Sequence, residues 1–383
     1  MATTITSGVQ YSGIWTMQQV NAAIAAGTWT GLPFLYSWGG NTQGQLGLGN
    51  VTLYSSPKQV GSLTAWLKLS AGQYQTLAIK TDGTLWTWGY NINGQLGLGN
   101  ITSYSSPKQV GALTNWSKIS AGSGFSCGIK TDGTIWTWGN NSSGQLGLGN
   151  ITNYSSPKQV GALTTWSALS LGNSHLIAIT TGGVLYAWGG NGSGQLGLGN
   201  TTSYSSPKQV GSLTTWANVA SGTLFSGAIK TDGTLWMWGR GGSGQLGLNN
   251  RTYYSSPKQV GSLTTWSKIS PGDTSTSVIK TDGTLWSWGD NAFGQLGLGN
   301  RTNYSSPKQV GSLTTWLTPL GGKSHNAALK TDGTLWIWGR NNDGQLGLGN
   351  ITNYSSPKQV GSLTTWTTVS STNAGSFVLA IAT

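Results

Sequence analysis

The chain has 383 residues, of which 36% are apolar and only 7% charged, with 61 glycines and 21 tryptophans. That much aromatic side chain excludes a disordered polymer, and the glycines carry no collagen period. The formal charge is +12, from 20 Lys+Arg against eight acids that are all Asp, and Cys127 is the single cysteine, so no intrachain disulfide is possible.

A basic balance favours an anionic partner, but no Lys/Arg run of the kind carried by nucleic-acid arms occurs, so nucleic acid is not the expected partner. No stretch reaches the ~20 apolar residues a membrane helix needs. Met1 to Gly13 lacks a basic region and an apolar stretch, so the chain is expected to fold in a cytoplasm.

Residues 1–31 stand apart from the rest of the chain. Thr16-Met-Gln-Gln19 has the form of a capping box, Met17, Val20 and Ile24 share one face at helical spacing, and Gly27 stops the helix. A helix of about ten residues is marginal alone. Its apolar stripe needs a surface, with Trp15 and Trp29 as flanking anchors.

From residue 32 onward the sequence repeats. Gly-Gln-Leu-Gly-Leu begins at Gly44, Gly94, Gly144, Gly194, Gly244, Gly294 and Gly344, a period of 50 in seven copies. One copy reads as four short strands. Trp116-Ser-Lys-Ile-Ser120 alternates and ends at Ala121-Gly122, and Phe125 to Lys130 comes next. Asp132-Gly133 is a hairpin signal before Thr134-Ile-Trp-Thr-Trp-Gly139, and Pro157 opens a last strand, Lys158-Gln-Val-Gly161. Four strands in about 50 residues is the size of a propeller blade. The chain ends at Phe377–Thr383, a second strand without its hairpin partner, and the unmatched partner is Phe34–Gly39. First strand and last strand are therefore expected to pair and shut the ring. The fold class is all-β: a closed seven-bladed β-propeller of four-stranded blades over 32–383, plus a short helical arm over 1–31.

The string Trp136-Thr-Trp-Gly-Asn-Asn-Ser-Ser-Gly-Gln-Leu-Gly-Leu-Gly-Asn150 resembles the signature of the regulator of chromosome condensation repeat family, and it recurs with small departures seven times. The resemblance implies a seven-bladed propeller closed by its termini. It does not imply one activity, because nucleotide exchange in that family depends on an inserted wedge, and the constant period leaves no room for one. The family's recurrent histidine survives only at His175 and His325; Gln75, Phe125, Phe225 and Ser275 stand elsewhere. A second, shorter resemblance lies in Gly8-Val-Gln-Tyr-Ser-Gly-Ile-Trp-Thr-Met-Gln-Gln19 and Ala25-Ala-Gly-Thr-Trp29, which is similar to a leader on structural proteins of tailed bacteriophages.

Candidate binding residues emerge from charge and from departures between copies. Lys58, Lys108, Lys158, Lys208, Lys258, Lys308 and Lys358 recur at the period and are expected to form a basic ring on one rim. Arg240, Arg251, Arg301 and Arg340, the only arginines, flank the Gly-Gln-Leu-Gly-Leu segment in the second half and suit an anion-binding sector. Copies differ most at 73–75, 90–93 and 51–53, and loops on a rigid scaffold are where recognition sits. Trp86 and Trp88 with their copies read as packing between blades.

No catalytic, metal or cofactor site is expected: five aspartates sit in hairpin turns, and the two histidines have no ligand set beside them. The leading expectation is a phage virion protein. Its arm would bind other virion proteins, and its propeller would decorate the particle or bind an anionic host-surface glycan. The alternative is an intracellular interaction scaffold of the chromosome-condensation-regulator type.

Overall fold

The computed structural model describes residues 33–383; the helix expected near 16–27 and the anchors Trp15, Met17, Val20, Ile24 and Trp29 lie outside the described residues. Seven antiparallel sheets of four strands each make up the described chain. Six blades come from continuous segments. In one of them Trp66–Ala71, Gln75–Lys80, Leu85–Gly89 and Tyr104–Gln109 lie side by side in chain order. The seventh joins the two ends, with Phe34–Gly39 between Tyr54–Gln59 and Phe377–Ala382. Its register runs from Phe34↔Ala382 to Gly39↔Phe377 without a break, as the unmatched ends predict.

The first strand of every blade adjoins its counterpart in the next blade, including Trp366–Ser371 against Trp66–Ala71, so these seven strands surround the axis. The Tyr-Ser-Ser-Pro-Lys-Gln strand is then outermost. It starts at Tyr154, three residues before the expected opening at Pro157. Proline is tolerated inside it because an outer-edge strand has no neighbour to receive an N–H on its free side. The meander defines two faces. An upper face carries the loops 72–74 and 90–103 and their copies. A lower face carries the hairpins 81–84 and the links 60–65.

The core lies between blades. Trp88 is fully buried and donates its indole N–H to the Gln45 carbonyl of the preceding blade at 2.9 Å. Only glycine fits beside it, since a Cβ at Gly47 would lie 2.7 Å from Trp88 Nε1 at a φ of +75°. Asn41 holds the same loop closed, donating to the carbonyls of Asn50 and Thr52 and accepting from Leu46 N–H. Trp66 meets Trp86 and Trp88 edge-on at 6.1 and 6.0 Å. The two tryptophans of the Trp-x-Trp strand thus divide: Trp88 packs between blades, whereas Trp86 is half-buried.

Around the axis, serines join inner strands. Ser70 Oγ accepts from Ala121 N–H at 2.9 Å, and the same bond recurs from Ser120 to Leu171, Ser170 to Ser221, Ser270 to Gly321 and Ser370 to Ala71. One joint lacks both halves: Ala220 offers no hydroxyl, and Pro271 opposite offers no N–H.

The constant unit length fails at one loop. Trp66 pairs with Lys80, 14 positions on, while Trp366 pairs with Ala382, 16 positions on. The two extra residues lie in the upper-face loop of the closing blade. There Asn373 Nδ2 donates to Ser221 O at 3.0 Å and Thr223 Oγ1 donates to Asn373 O at 3.2 Å. Ser221 and Thr223 belong to a blade three places away, so this loop crosses the mouth of the channel.

Candidate functional site

The upper face carries the exposed loops at which the copies differ most. Tyr90 N–H donates to Tyr74 O, and the two rings meet edge-on at 6.2 Å, which places 73–75 beside 90–93. The same contact joins Arg240 to Leu224 and Arg340 to Ser324. One sector is therefore aromatic, and another alternates Arg240, Asp290 and Arg340 in successive blades, with Asp290 N–H donating to Thr274 O. By contrast the lower face repeats: Thr-Asp-Gly-Thr hairpins recur in five blades, and each Asp takes its turn role. Asp132 Oδ1 accepts from Thr134 N–H at 2.9 Å and from its hydroxyl at 2.6 Å. Those bonds hold its carboxyl below the usual range.

The arginines divide into two kinds. Arg240 and Arg340 are half-buried, and neither Nε has a partner among the described residues. The Arg340 guanidinium lies 5.6 Å from the centre of the Phe293 ring of the preceding blade. Arg251 and Arg301 are exposed. Loop closure still brings Arg240 and Arg251 to one end of one blade, because Gly241 lies against the Thr252 carbonyl.

The seven lysines from Lys58 to Lys358 do not sit on a rim. Each lies on the outermost strand of its blade, exposed, so they form a girdle around the outer wall. Each ammonium stands 5.3–5.6 Å from the centre of its own strand's tyrosine ring, as Lys58 does over Tyr54. Periodicity alone shows that they form a ring; only the strand order shows where.

Two further lysine sets escape a reading of the sequence. Lys80, Lys130, Lys230, Lys280 and Lys330 end the second strands, and each stands over two tryptophans, Lys80 at 5.2 Å from Trp66 and 4.9 Å from Trp86. Beside such pairs run apolar clefts of ≈ 380 Å³ between blades, one lined by Leu198, Val210, Leu213, Trp216, Trp236 and Pro257. Lys68, Lys118 and Lys268 stand third in inner strands. The signal for them is the alternation in Trp66-Leu-Lys-Leu-Ser70, which puts Lys68 and Ser70 on one side of the strand.

The histidines are structural in their surroundings. His175 Nε2 pairs with Ser226 Oγ at 3.0 Å, and His325 Nε2 pairs with Ser371 Oγ at 2.9 Å. Burial pushes His175 down to about 3; burial together with the Arg340 charge pushes His325 down to about 4. Both rings are neutral near pH 7. Among the described residues no group of three His, Cys, Asp or Glu is placed to hold a metal.

Comparisons with known proteins agree with this geometry. The RCC1-like domain matches residues 152–383, and the regulator of chromosome condensation (RCC1) repeat matches 34–79 and 82–129. No curated protein sequence matches the chain. Among solved structures, Prp20p from Saccharomyces cerevisiae superposes with a TM-score of 0.82 at 20% identity, covering 92% of each chain. Human WBSCR16 superposes with a TM-score of 0.82 at 22% identity, covering 92% of this chain and 99% of its own.

Proposed function

The chain belongs to the RCC1-like domain family, and from that premise we propose that it is a protein-interaction scaffold of the chromosome-condensation-regulator type, whose upper face receives a protein partner. The observation that carries this reading is the unequal spread of variation. The outer strand Tyr-Ser-Ser-Pro-Lys-Gln and the lower-face links repeat almost unchanged through seven blades. The upper-face loops hold Gln73-Tyr74 in one blade, Thr223-Leu224 in another and Lys323-Ser324 in a third. A rigid scaffold with one varied surface is the arrangement recognition uses.

A protein partner is supported by the likeness to Prp20p, whose structure is described with binding to Gsp1p and histones. The tyrosine pair Tyr74–Tyr90 and the half-buried Arg240 and Arg340 supply the aromatic and guanidinium side chains that anchor protein interfaces. The virion reading rests on residues 8–29 alone, and no observation on the described residues favours it over the scaffold.

A photo-crosslinking amino acid placed at Tyr90 and, separately, at Lys58 tests the reading in cells that express the chain. We expect one protein adduct from position 90, lost when Arg240 and Arg340 are changed to Ser, and none from position 58. Adducts from position 58 alone would overturn it.

A further inference from the structure

We infer that the central channel is a binding site for a tetrahedral oxyanion such as phosphate, entered from the lower face and closed at the upper end by Asn373. This site is separate from the upper face and does not rest on the scaffold reading.

Three observations meet there. First, the channel wall is cationic. Lys68, Lys118 and Lys268 lie on inner strands, and each ammonium reaches sideways to a carbonyl of the next inner strand: Ser117, Ser167 and Leu317, the last at 2.5 Å. Among the described residues each therefore keeps two of its three N–H donors without a protein partner. Lys68 and Lys118 come from adjacent blades, and burial together with the charge of Lys118 lowers the Lys68 pKa. No inner strand carries a carboxylate; the aspartates sit in hairpins and upper loops. Like charges held together around an axis without counter-charges favour an anion.

Second, a layer of hydroxyls stands one step further in. Ser70, Ser120 and Ser270 each lie two residues after one of these lysines, on the same side of the strand and about 6.6 Å along it. With Ser170 they line a polar cavity of ≈ 130 Å³ that also touches Thr372 and Asn373. Each of these hydroxyls accepts a backbone N–H from the next blade, so its own proton remains to be donated. Oxygen-rich anions are held by such converging donors, with ammonium groups supplying the charge.

Third, among the described residues the cavity is covered at its upper end only. The longer loop of the closing blade binds Ser221 and Thr223 across the axis and covers the upper mouth. The lysines stand on the lower side of the serine layer, so an anion entering from below passes them first and stops at the hydroxyls. The girdle lysines have no part in this: they lie on the outermost strands.

Isothermal titration calorimetry of the full chain with inorganic phosphate tests the site. We expect saturable binding at one site per chain. Replacing Lys68, Lys118 and Lys268 together by Gln should weaken it at least ten-fold, and replacing Lys58, Lys108, Lys158 and Lys208 by Gln should leave it within two-fold. Should the triple variant not fold, Lys118→Gln alone, at an exposed position, should weaken binding about five-fold. Absence of saturable binding, or loss in the girdle variant with retention in the channel variant, would overturn the inference. A phosphomonoester, phosphoserine, run beside the free ion separates the sources. Weaker binding of the ester assigns the site to a free oxyanion, and equal or tighter binding assigns it to the phosphate of a larger ligand.

Discussion

The closing blade and the six continuous blades have the same four strands but different dependence on the chain. A continuous blade keeps its hairpins if its neighbours are disturbed, because each strand is succeeded at once by its partner. The closing blade owes its middle pairing to strands from opposite ends of the sequence, Phe34–Gly39 and Phe377–Ala382. The comparison shows that the repeat supplies the blade and the termini supply the ring. A propeller without this pairing has two open edges, each a template for another chain.

The largest expected effect comes from breaking that pairing. Removing residues 377–383 withdraws Phe377, Val378, Leu379 and Ile381, all buried, from two interblade cores at once. At roughly 1.5–3 kcal/mol for each large apolar side chain, the loss is on the order of 10 kcal/mol, comparable with the whole stability of a typical domain. The truncated chain should be aggregated or unfolded by size-exclusion chromatography and circular dichroism. Recovery of a monodisperse folded protein would show that the six continuous blades hold the ring without the seventh.

Much of this is legible in the sequence because repetition and incomplete ends are both visible there. The strand Phe34–Gly39 and its partner can be read from two fragments that complete one another. The part that stays hidden depends on the order of strands within a blade. The girdle lysines fall on the wall and not on the expected rim, since a period of 50 cannot distinguish an inner from an outer strand. The channel lysines and serines are invisible as a group for the same reason: Lys68 and Lys268 are four blades apart in sequence and meet only around an axis. The longer loop at 372–376 escapes detection because the last repeat has no later copy to measure it against.

The next effect separates blades by pH. His325 titrates at about 4 in the folded chain, because of burial and then the Arg340 charge, against 6.5 for an exposed ring. As pH falls from 6.5, the unfolded chain takes up its proton first, so stability is intact above 6.5 and drains away as pH falls toward 4. At about 1.4 kcal/mol per pH unit the full effect is roughly 3 kcal/mol. Glutamine already fills this position at Gln75, where its Nε2 donates to Gly122 O at 2.9 Å. His325→Gln should therefore fold, and its thermal midpoint should fall less between pH 7 and pH 4.5 than that of the parent. Equal falls in both proteins would mean that His325 does not carry the acid sensitivity.

The smallest effect is the most local and turns on the joint between Ala220 and Pro271, which lacks both halves of the serine clasp. Ser170→Ala leaves Ser221 N–H without its partner at 2.9 Å and should cost about 1–2 kcal/mol, as a lost hydrogen bond with a stranded donor does. Ala220→Ser, the reverse change, should gain nothing, because the residue opposite is Pro271 and proline has no N–H. Pro271→Ala alone should cost a little, by freeing the unfolded chain and by baring a donor. Adding Ala220→Ser to Pro271→Ala should recover the clasp, so the double-mutant cycle over 220 and 271 should show a favourable coupling near ~1 kcal/mol. Thermal unfolding of the four proteins measures it. A coupling of zero, beside a real loss from Ser170→Ala, would mean that the inner strands at this joint stand too far apart to bond. The missing serine would then reflect the local geometry of the ring and not the proline.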